Sequence, residues 1–262
     1  MNSVYQHFRK DEFPLIDQIS DMAERAESTY QLQLTHFLNP RERHIARSII
    51  GQWSDLSVES FGGFSEAENQ RLLIIPMYVD TSKEDYHIAA FEIDYPAGFT
   101  SLTHGSILGS LMGLGIRRDI IGDIITDGDT WQFFADEQMA DYLMAELNHI
   151  GRHAVSIMRC DEDMIITPLD KWKKDTVIVS SLRLDSVIAR ALNLSRKVAK
   201  DLIQSERVKV NWATVNRPDF ECDEYDMISV RKFGRIRLGS IQGMTKKDNL
   251  ILTIDRIKSN DK

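Results

Sequence analysis

The sequence predicts an α+β protein made of three parts: a helical N-terminal module (residues 1–70), a compact α+β middle domain (71–175) and a C-terminal domain of helices and strands (176–262). Three observations lead to this prediction. The length of 262 residues suits two or three domains. The periodicity of the apolar residues changes after residue 64, from helical spacing to runs typical of strands. The charge balance also changes sign, because the last third is basic and the rest is acidic.

Two helices are predicted in the N-terminal module. Apolar residues recur at helical spacing between positions 14 and 30. A second helix is expected to begin at Pro40, with Asn39 as its cap and Glu42 completing a capping box. Three arginines fall on the side of this helix away from its apolar residues, namely Arg41, Arg43 and Arg47. We interpret them as a solvated face, with contact to phosphate as the alternative.

The middle domain is expected to follow Gly62-Gly63, which predicts a turn or a close backbone approach. Its expected order is β-β-α-β-β-α-β. The predicted elements are strands 71–79 and 86–95, a helix over 102–114, strands 119–126 and 130–135, a helix from 136 to about 149, and a strand over 154–159. The first two strands are expected to be joined by a polar turn, and the next two to form a hairpin across Asp127-Gly128. Residues 160–175 are polar and are predicted to be a connection.

The C-terminal domain is predicted to contain two short helices followed by four strands. The helices cover 182–192 and 195–204, and the second is expected to be capped by Ser195. The strands cover 208–211, 227–231, 235–241 and 250–257. Together they describe a two-helix corner on a small sheet.

The composition excludes several classes of protein. No stretch approaches the roughly 18 uninterrupted apolar residues of a membrane span, and the first residues lack the apolar region of a signal peptide. The only cysteines, Cys160 and Cys222, have no partner at metal-ligand spacing, so neither a disulfide scaffold nor a cysteine-rich zinc site is expected. We therefore expect a cytoplasmic protein without membrane association.

The net charge of −8 conceals an asymmetry. Residues 181–262 carry 17 Lys and Arg against 11 Asp and Glu, whereas residues 1–180 carry 15 against 29. A basic end on an acidic body indicates that the last third contacts a polyanion, with an uneven but solvated surface as the alternative. Eight residues are predicted to form one RNA-binding surface there: Arg183, Ser195, Arg196, Lys197, Lys200, Lys209, Asn211 and Arg231. Arg117 and Arg118, which follow an apolar helix, are further candidates for contact with RNA phosphate.

Residues 182–234 resemble the S4 RNA-binding domain. The residues that carry the resemblance are, in order, Arg183-Leu184-Asp185, Ser195-Arg196, Ala199, Leu202, Ile203, Val208-Lys209-Val210-Asn211, Asp226, Ile228, Val230-Arg231 and Gly234. Two positions differ from the usual pattern, because Glu206-Arg207 and Trp212 stand where glycine is common. The resemblance implies binding to structured RNA rather than to DNA.

The whole chain is similar to the bacterial YlmH family of S4-domain proteins. The similarity adds the triplet Pro40-Arg41-Glu42, the Gly62-Gly63 turn and the run from 102 to 124 to the S4-like part. It implies an RNA-binding-like middle domain, association with the large ribosomal subunit, and a role in rescue or quality control of stalled nascent-chain–tRNA complexes. The implied partners are rRNA and, as a second candidate, tRNA. We expect no cofactor, no metal and no catalytic residue.

An RNA-modifying enzyme with an S4 targeting domain is the alternative reading. Pseudouridine synthases use an Asp within a similar Arg-Leu-Asp triplet, but here only two predicted strands follow the S4-like pattern. We therefore interpret Asp185 as a helix N-terminal acid that steadies Arg183 or the helix dipole. A methyltransferase would need a Gly-rich loop after its first strand, whereas residues 80–84 contain no Gly. A direct part in cell division, suggested only by the family's gene neighbourhood, is the weakest alternative.

Two sets of residues could suggest a metal ion, but neither has the right spacing. His149 and His153 lack the intervening Glu of a zinc helix, and Gly151 is expected to end the helix between them. The acidic set Asp123, Asp127 and Asp129 does not fit an EF-hand loop.

Overall fold

The structure is a computed structural model that describes Tyr5 and residues 8–96, 102–169 and 172–258. It divides into two units, residues 1–169 and 170–262, called here the N-terminal and C-terminal units. Each unit combines helices with antiparallel sheets, which confirms the predicted α+β class. The division of the chain into three parts stays a prediction. In the described ranges no helix has both the length and the apolar character needed to cross a membrane.

The described residues form six α-helices and fifteen strands. The helices are α1 (Phe13–Thr29), α2 (Pro40–Ile50), α3 (His104–Gly113), α4 (Ala140–Glu146), α5 (Leu184–Ala191) and α6 (Arg196–Gln204). The strands are β1 (Gln33–Leu38), β2 (Leu56–Phe61), β3 (Gln70–Pro76), β4 (Ile88–Asp94), β5 (Ile121–Thr126), β6 (Trp131–Asp136), β7 (His149–Ile150), β8 (His153–Ala154), β9 (Ser156–Cys160), β10 (Lys173–Val179), β11 (Val208–Val210), β12 (Ala213–Thr214), β13 (Met227–Val230), β14 (Gly234–Met244) and β15 (Leu250–Lys258).

The N-terminal unit begins with two helices on a three-stranded antiparallel sheet of order β1-β3-β2. The apolar sides of α1 and α2 share one core with residues of β3. The predicted start of α2 is confirmed. The Asn39 side chain accepts a hydrogen bond from the Glu42 N–H at 3.0 Å, and the Glu42 carboxylate accepts one from the Asn39 N–H at 2.8 Å.

The two strands predicted on either side of the polar turn, at 71–79 and 86–95, belong to different sheets. The first of them, β3, pairs with β1 and β2, whereas β4 pairs with β6 and β9. Strand β3 is buried along nearly its whole length, and its residues 72–76 form a continuous apolar run. Such a run identifies a central strand but does not show which strands flank it. The flanking strands were missed because both are short, and Thr35 and His36 interrupt the apolar pattern of β1.

Two of the three arginines of α2 are not part of a solvated face. Arg41 is only 5% exposed, and its Nε lies 2.8 Å from the Glu12 carboxylate that precedes α1. Arg43 donates a hydrogen bond to the Glu68 carbonyl oxygen at 2.9 Å. Only Arg47 of this set is exposed. The sequence cannot distinguish these roles, because the partners of Arg41 and Arg43 lie 29 and 25 residues away along the chain.

The second sheet of the N-terminal unit is antiparallel, with the order β5-β6-β4-β9. Side chains of α3 and α4 share a core with one face of this sheet, and Phe37 of β1 packs with Phe134 of β6 on the other face. The predicted helix over 102–114, the hairpin at Asp127-Gly128 and the strand at 154–159 are confirmed. The helix after 136 ends earlier than predicted, at Glu146, and residues 149–154 form the small β7–β8 hairpin instead.

Of the two structures predicted for Gly62-Gly63, the close approach is confirmed, since Gly63 lies against Phe134 of the second sheet. Gly63 has a φ of +99°, a conformation that side chains rarely adopt. A Cβ at this position would lie 2.2 Å from the Phe134 ring, so only glycine fits against that aromatic side chain.

A buried ion pair also connects the two sheets of the N-terminal unit. Arg71 of β3 lies 3.1 Å from Asp136 at the end of β6, and both residues are 5% exposed. The guanidinium also donates to the carbonyl oxygens of Thr35 and His87, at 2.8 and 3.0 Å. Burial lowers the pKa of Arg71, and the charge of Asp136 opposes that shift. Each charge thus compensates the burial of the other, and removing one partner leaves the other buried without compensation.

Replacing Arg71 with methionine should therefore destabilise the N-terminal unit by about 3 kcal/mol, because the Asp136 carboxylate is left buried without its partner. Thermal unfolding together with hydrogen exchange of β3 and β6 measures the effect. The control is Arg25→Met on the exposed side of α1, which should change stability by less than about 0.5 kcal/mol. Equal effects from the two variants would contradict the assignment.

The C-terminal unit is a six-stranded antiparallel sheet of order β10-β15-β14-β13-β11-β12 with α5 and α6 on one face. The two predicted helices and four predicted strands are confirmed. The core contains apolar side chains from both helices and the sheet, including Val187, Ile188, Ala199, Ile203, Val210, Ile228, Ile236 and Ile254. Strand β10 was missed, because its first four residues are charged or polar and exposed at the edge of the sheet.

Trp212 lies in a backbone conformation that usually selects glycine. Asn211 and Trp212 form the two-residue turn between β11 and β12. The φ angle of Asn211 is +46° and that of Trp212 is +66°. Two consecutive positive φ angles are characteristic of the type I′ turn, for which Asn-Gly is the preferred pair. Glu206, the other position where the S4 pattern usually has glycine, has a φ of +57°. Glu206 and Trp212 therefore both adopt the left-handed backbone conformation that glycine adopts most easily.

Trp212→Gly should stabilise the C-terminal unit by about 1 kcal/mol, because a left-handed residue with a Cβ costs roughly that much. The midpoint of chemical unfolding and the hydrogen-exchange rates of β11 and β13 report the change. Trp212→Ala serves as the comparison, since it removes the ring but keeps the Cβ. If alanine stabilises as much as glycine, the backbone conformation is not the cause.

Candidate nucleic-acid interface

A fully buried carboxylate organises the basic residues of the C-terminal unit. Asp185, in the first turn of α5, has no exposed surface. Its Oδ1 lies 3.2 Å from Nε of Arg183 and 3.0 Å from Nη2 of Arg196, and its Oδ2 lies 4.0 Å from Nζ of Lys200. These four residues are called here the Asp185 cluster. The prediction that Asp185 steadies Arg183 is confirmed, and two cations from α6 join them.

Electrostatics keep the cluster ionised. Burial alone would raise the pKa of Asp185, but hydrogen bonds from Arg183 and Arg196 outweigh it and hold that pKa below its usual value. The same hydrogen bond to Asp185 raises the pKa of Arg183. One negative charge therefore holds two guanidinium groups by hydrogen bonds, and Lys200 lies at 4.0 Å.

The three cations of the cluster still face solvent. The side chains of Arg183, Arg196 and Lys200 are 41%, 53% and 49% exposed, whereas the carboxylate beneath them is covered. The cluster thus presents a net positive surface with restrained guanidinium groups, which suits the oxygens of RNA phosphates. Ser195 caps α6 by accepting a hydrogen bond from the Val198 N–H, and Lys197 is exposed in the first turn of the same helix.

The remaining three residues predicted in this unit lie elsewhere. Lys209 alternates with two core residues on β11, so it projects from the face of the sheet away from the helices. Asn211 uses its amide inside the fold, donating to Asp226 at 2.8 Å and accepting from the Met227 N–H at 2.9 Å. Arg231 is exposed in the turn between β13 and β14. One continuous groove with all eight residues is therefore not what the structure shows.

Asn211 has a scaffolding role that the sequence did not reveal. Its partner Asp226 is fully buried and also accepts a hydrogen bond from the Asp223 N–H at 2.8 Å. The two side chains hold the β11–β12 turn against the start of β13. Both Asn211 and Asp226 belong to the S4-like pattern in the sequence. Membership of that pattern does not show whether a residue holds the fold together or contacts a ligand.

Arg117 and Arg118 belong to the N-terminal unit and are not two free cations. The Arg117 guanidinium forms an ion pair with Asp119, and the hydrogen bonds of that pair raise the pKa of Arg117. Arg118 donates hydrogen bonds to the carbonyl oxygens of Ile121 and Gly122, so it fastens the start of β5. The expectation of two exposed loop cations is wrong for Arg118, whose side chain is held within the fold; contact of either residue with RNA stays a prediction.

The geometry argues against the enzyme readings considered above. Asp185 is inaccessible and surrounded by cations, so it cannot approach a nucleobase as a catalytic group. All strand pairs in the described residues are antiparallel, so β3 does not open a parallel sheet of the kind that holds a dinucleotide-like cofactor. Within the described ranges, no group of three His, Cys, Asp or Glu side chains could hold a metal ion. Asp123 instead accepts hydrogen bonds from the backbone and side chain of Asn69.

A two-helix corner on an antiparallel sheet, with a basic cluster at the corner, defines an RNA-binding module of the S4 class. Residues 182–228 match the family model for the S4 domain, as predicted. Two further models, described as "YlmH, N-terminal" and "Putative RNA-binding domain in YlmH", match residues 12–79 and 81–163. The chain therefore belongs to the YlmH family, which confirms the resemblance seen in the sequence.

One relative and one solved structure support this assignment over different lengths. The chain is 39% identical over 259 residues to "Ribosome-associated protein quality control protein P2" of Bacillus subtilis (strain 168), covering 98% of this chain and all of the relative. It is also similar to the structure of "Cell division protein ylmH from Streptococcus pneumoniae", with a TM-score of 0.54 and 31% identity. That match covers 62% of this chain and 99% of the solved chain.

Asp185→Asn should loosen the C-terminal unit at neutral pH. The pKa of Asp185 is lower in the folded state, so its ionised form stabilises the fold above the unfolded pKa of about 3.9. That contribution is lost as the pH falls through the lower folded value. Hydrogen exchange of α5 should therefore be faster in the variant at pH 7, by a margin equivalent to about 1–3 kcal/mol. The margin should shrink below about pH 4; a margin that is independent of pH would contradict the role of the charge.

Proposed function

We propose that this protein is an RNA-binding factor that associates with the large ribosomal subunit and acts in the rescue or quality control of stalled nascent-chain–tRNA complexes. The Asp185 cluster is the observation that carries the proposal, because it presents two restrained arginines and a neighbouring lysine on an S4 domain. The printed name of the Bacillus subtilis relative, which links that protein to ribosome-associated quality control, supports the ribosomal setting. The match of residues 81–163 to a putative RNA-binding domain supports a second RNA-facing part.

The proposed mode of action is binding, not catalysis. The S4 domain would contact structured rRNA, with tRNA as a second partner, in the cytoplasm where ribosomes work. The acidic N-terminal residues support this division of roles, because residues 1–180 carry 15 basic against 29 acidic side chains and are repelled by bulk RNA. Recognition of RNA would then depend on the basic cluster, and the N-terminal unit would orient it or contact a second partner.

The double substitution Arg196→Ala with Lys200→Ala should reduce binding to isolated large subunits about tenfold or more at physiological salt. The change removes two phosphate contacts, so the slope of log affinity against log salt should fall by roughly 1.5 to 2. Arg183 remains beside Asp185 in this variant, which keeps the carboxylate paired. Co-sedimentation over a salt series measures both quantities.

The matched control is Lys246→Ala with Lys247→Ala, which removes the same charge from the exposed turn between β14 and β15. It should leave binding close to that of the unchanged protein. If the two double variants lose affinity equally, net charge rather than the cluster determines binding. If a ribosomal nucleoside is modified only when this protein is present, the enzyme alternative is favoured instead.

A further inference from the structure

The sheet of the C-terminal unit carries a second basic surface, on the face away from α5 and α6. The strand register places a row of partners across it, which are Ile257, Arg235, Ser229, Lys209 and Thr214. The residues on either side of Lys209, Val208 and Val210, belong to the core under the helices. Since side chains alternate along a strand, the row projects from the opposite side, called here the open face.

An aromatic ring lies over two arginines of the open face. The guanidinium carbons of Arg235 and Arg237 are 5.3 and 5.0 Å from the centroid of the Trp172 ring, within the range of cation–π attraction. Trp172 immediately precedes β10, where Lys173 pairs with Arg256, so the tryptophan extends the row next to Ile257. Arg237 also forms an ion pair with Asp255 at 2.7 Å, which fixes its orientation.

The open face is basic as well as aromatic. Lys174 is the register partner of Asp255 and therefore shares this face, and both Lys174 and Lys209 are exposed. The strand register places five charged residues on the open face. One is the carboxylate of Asp255, and the other four are cations: Lys174, Lys209, Arg235 and Arg237. The Trp172 ring is half-buried. A sheet face that combines cations with a partly exposed ring suits unpaired nucleotides, because phosphates contact the cations while a base stacks on the ring.

We propose that the open face is a binding site for single-stranded RNA, so that the C-terminal unit contacts RNA on two opposite faces. This inference rests on the proposed function in one respect, namely that RNA is the ligand. The Asp185 cluster, on the helical face, has cations but no ring among its members, which suits a phosphate backbone. The open face has cations beside Trp172, which suits a base next to a phosphate. The two faces therefore differ in the RNA they select.

The test uses the full chain and two probes, an oligouridylate of about twelve nucleotides and the isolated large ribosomal subunit. Trp172→Leu, and separately Lys174→Ala with Lys209→Ala, should weaken oligouridylate binding by at least about fivefold, as expected for loss of one stacked base or of phosphate contacts. Trp172→Phe, which keeps an aromatic ring, should retain most of the affinity. The control Lys246→Ala with Lys247→Ala should keep oligouridylate binding. The cluster variant Arg196→Ala with Lys200→Ala should lose less oligouridylate affinity than Lys174→Ala with Lys209→Ala, although each removes two positive charges.

Each other outcome overturns the inference. Equal losses in the open-face and control variants would mean that oligouridylate responds only to net charge. Equal losses in Trp172→Phe and Trp172→Leu would mean that the ring is structural and does not stack on a base. Binding of polyglutamate, but not of oligouridylate, to the unchanged protein would assign the face to an acidic polypeptide. A failure of the proposed function would give a different result. The unchanged protein would still bind oligouridylate but would not sediment with the large subunit.

Discussion

The C-terminal unit depends on a carboxylate that has no access to water. Asp185 is fully buried, and an ionised carboxylate is tolerated there only because Arg183 and Arg196 donate hydrogen bonds to it. The backbone around it is fixed as well, since the Leu184 and Asp185 N–H groups donate to the carbonyl oxygens of Phe220 and Pro218. In the proposed function, RNA would meet cations that are already held in place, so less side-chain entropy would be lost on binding than with free lysines. Stability and RNA recognition would then depend on the same contacts.

The same physical arrangement recurs through the molecule. Asp226 holds Asn211 and the turn beside Lys209, and Arg71 with Asp136 joins the two sheets of the N-terminal unit. In each case a buried charge or amide is matched to partners from segments distant in sequence. Such pairs add little net stability over apolar packing, but removing one partner is costly, so they enforce a particular arrangement of the segments. Two residues of the S4-like pattern, Asn211 and Asp226, therefore belong to the scaffold.

Local features of the sequence were sufficient to predict most elements, whereas partners across the chain were not. The capping box at Asn39, the Asp127-Gly128 hairpin and the Ser195 cap are encoded within a few residues, and all three are present. The neighbours of β3 and the burial of Arg41 depend on residues far along the chain, and apolar periodicity carries no information about them. The candidate site divides in the same way. The members of the Asp185 cluster come from two adjacent helices, but the face on which Lys209 lies follows from strand register.

The charge distribution explains why the C-terminal unit alone attracts a polyanion. Residues 1–180 are strongly acidic and residues 181–262 are basic, so the long-range field repels a polyanion from most of the surface and attracts it to the C-terminal unit. Repulsion of this kind narrows the choice of partners, because only RNA that reaches the basic unit without approaching the acidic one is bound. Within that unit, the Asp185 cluster and the open face lie on opposite sides of one sheet. Two RNA segments could then be held at once, with the six-stranded sheet as the rigid spacer, and their separation would be set by the thickness of the domain and not by a flexible linker.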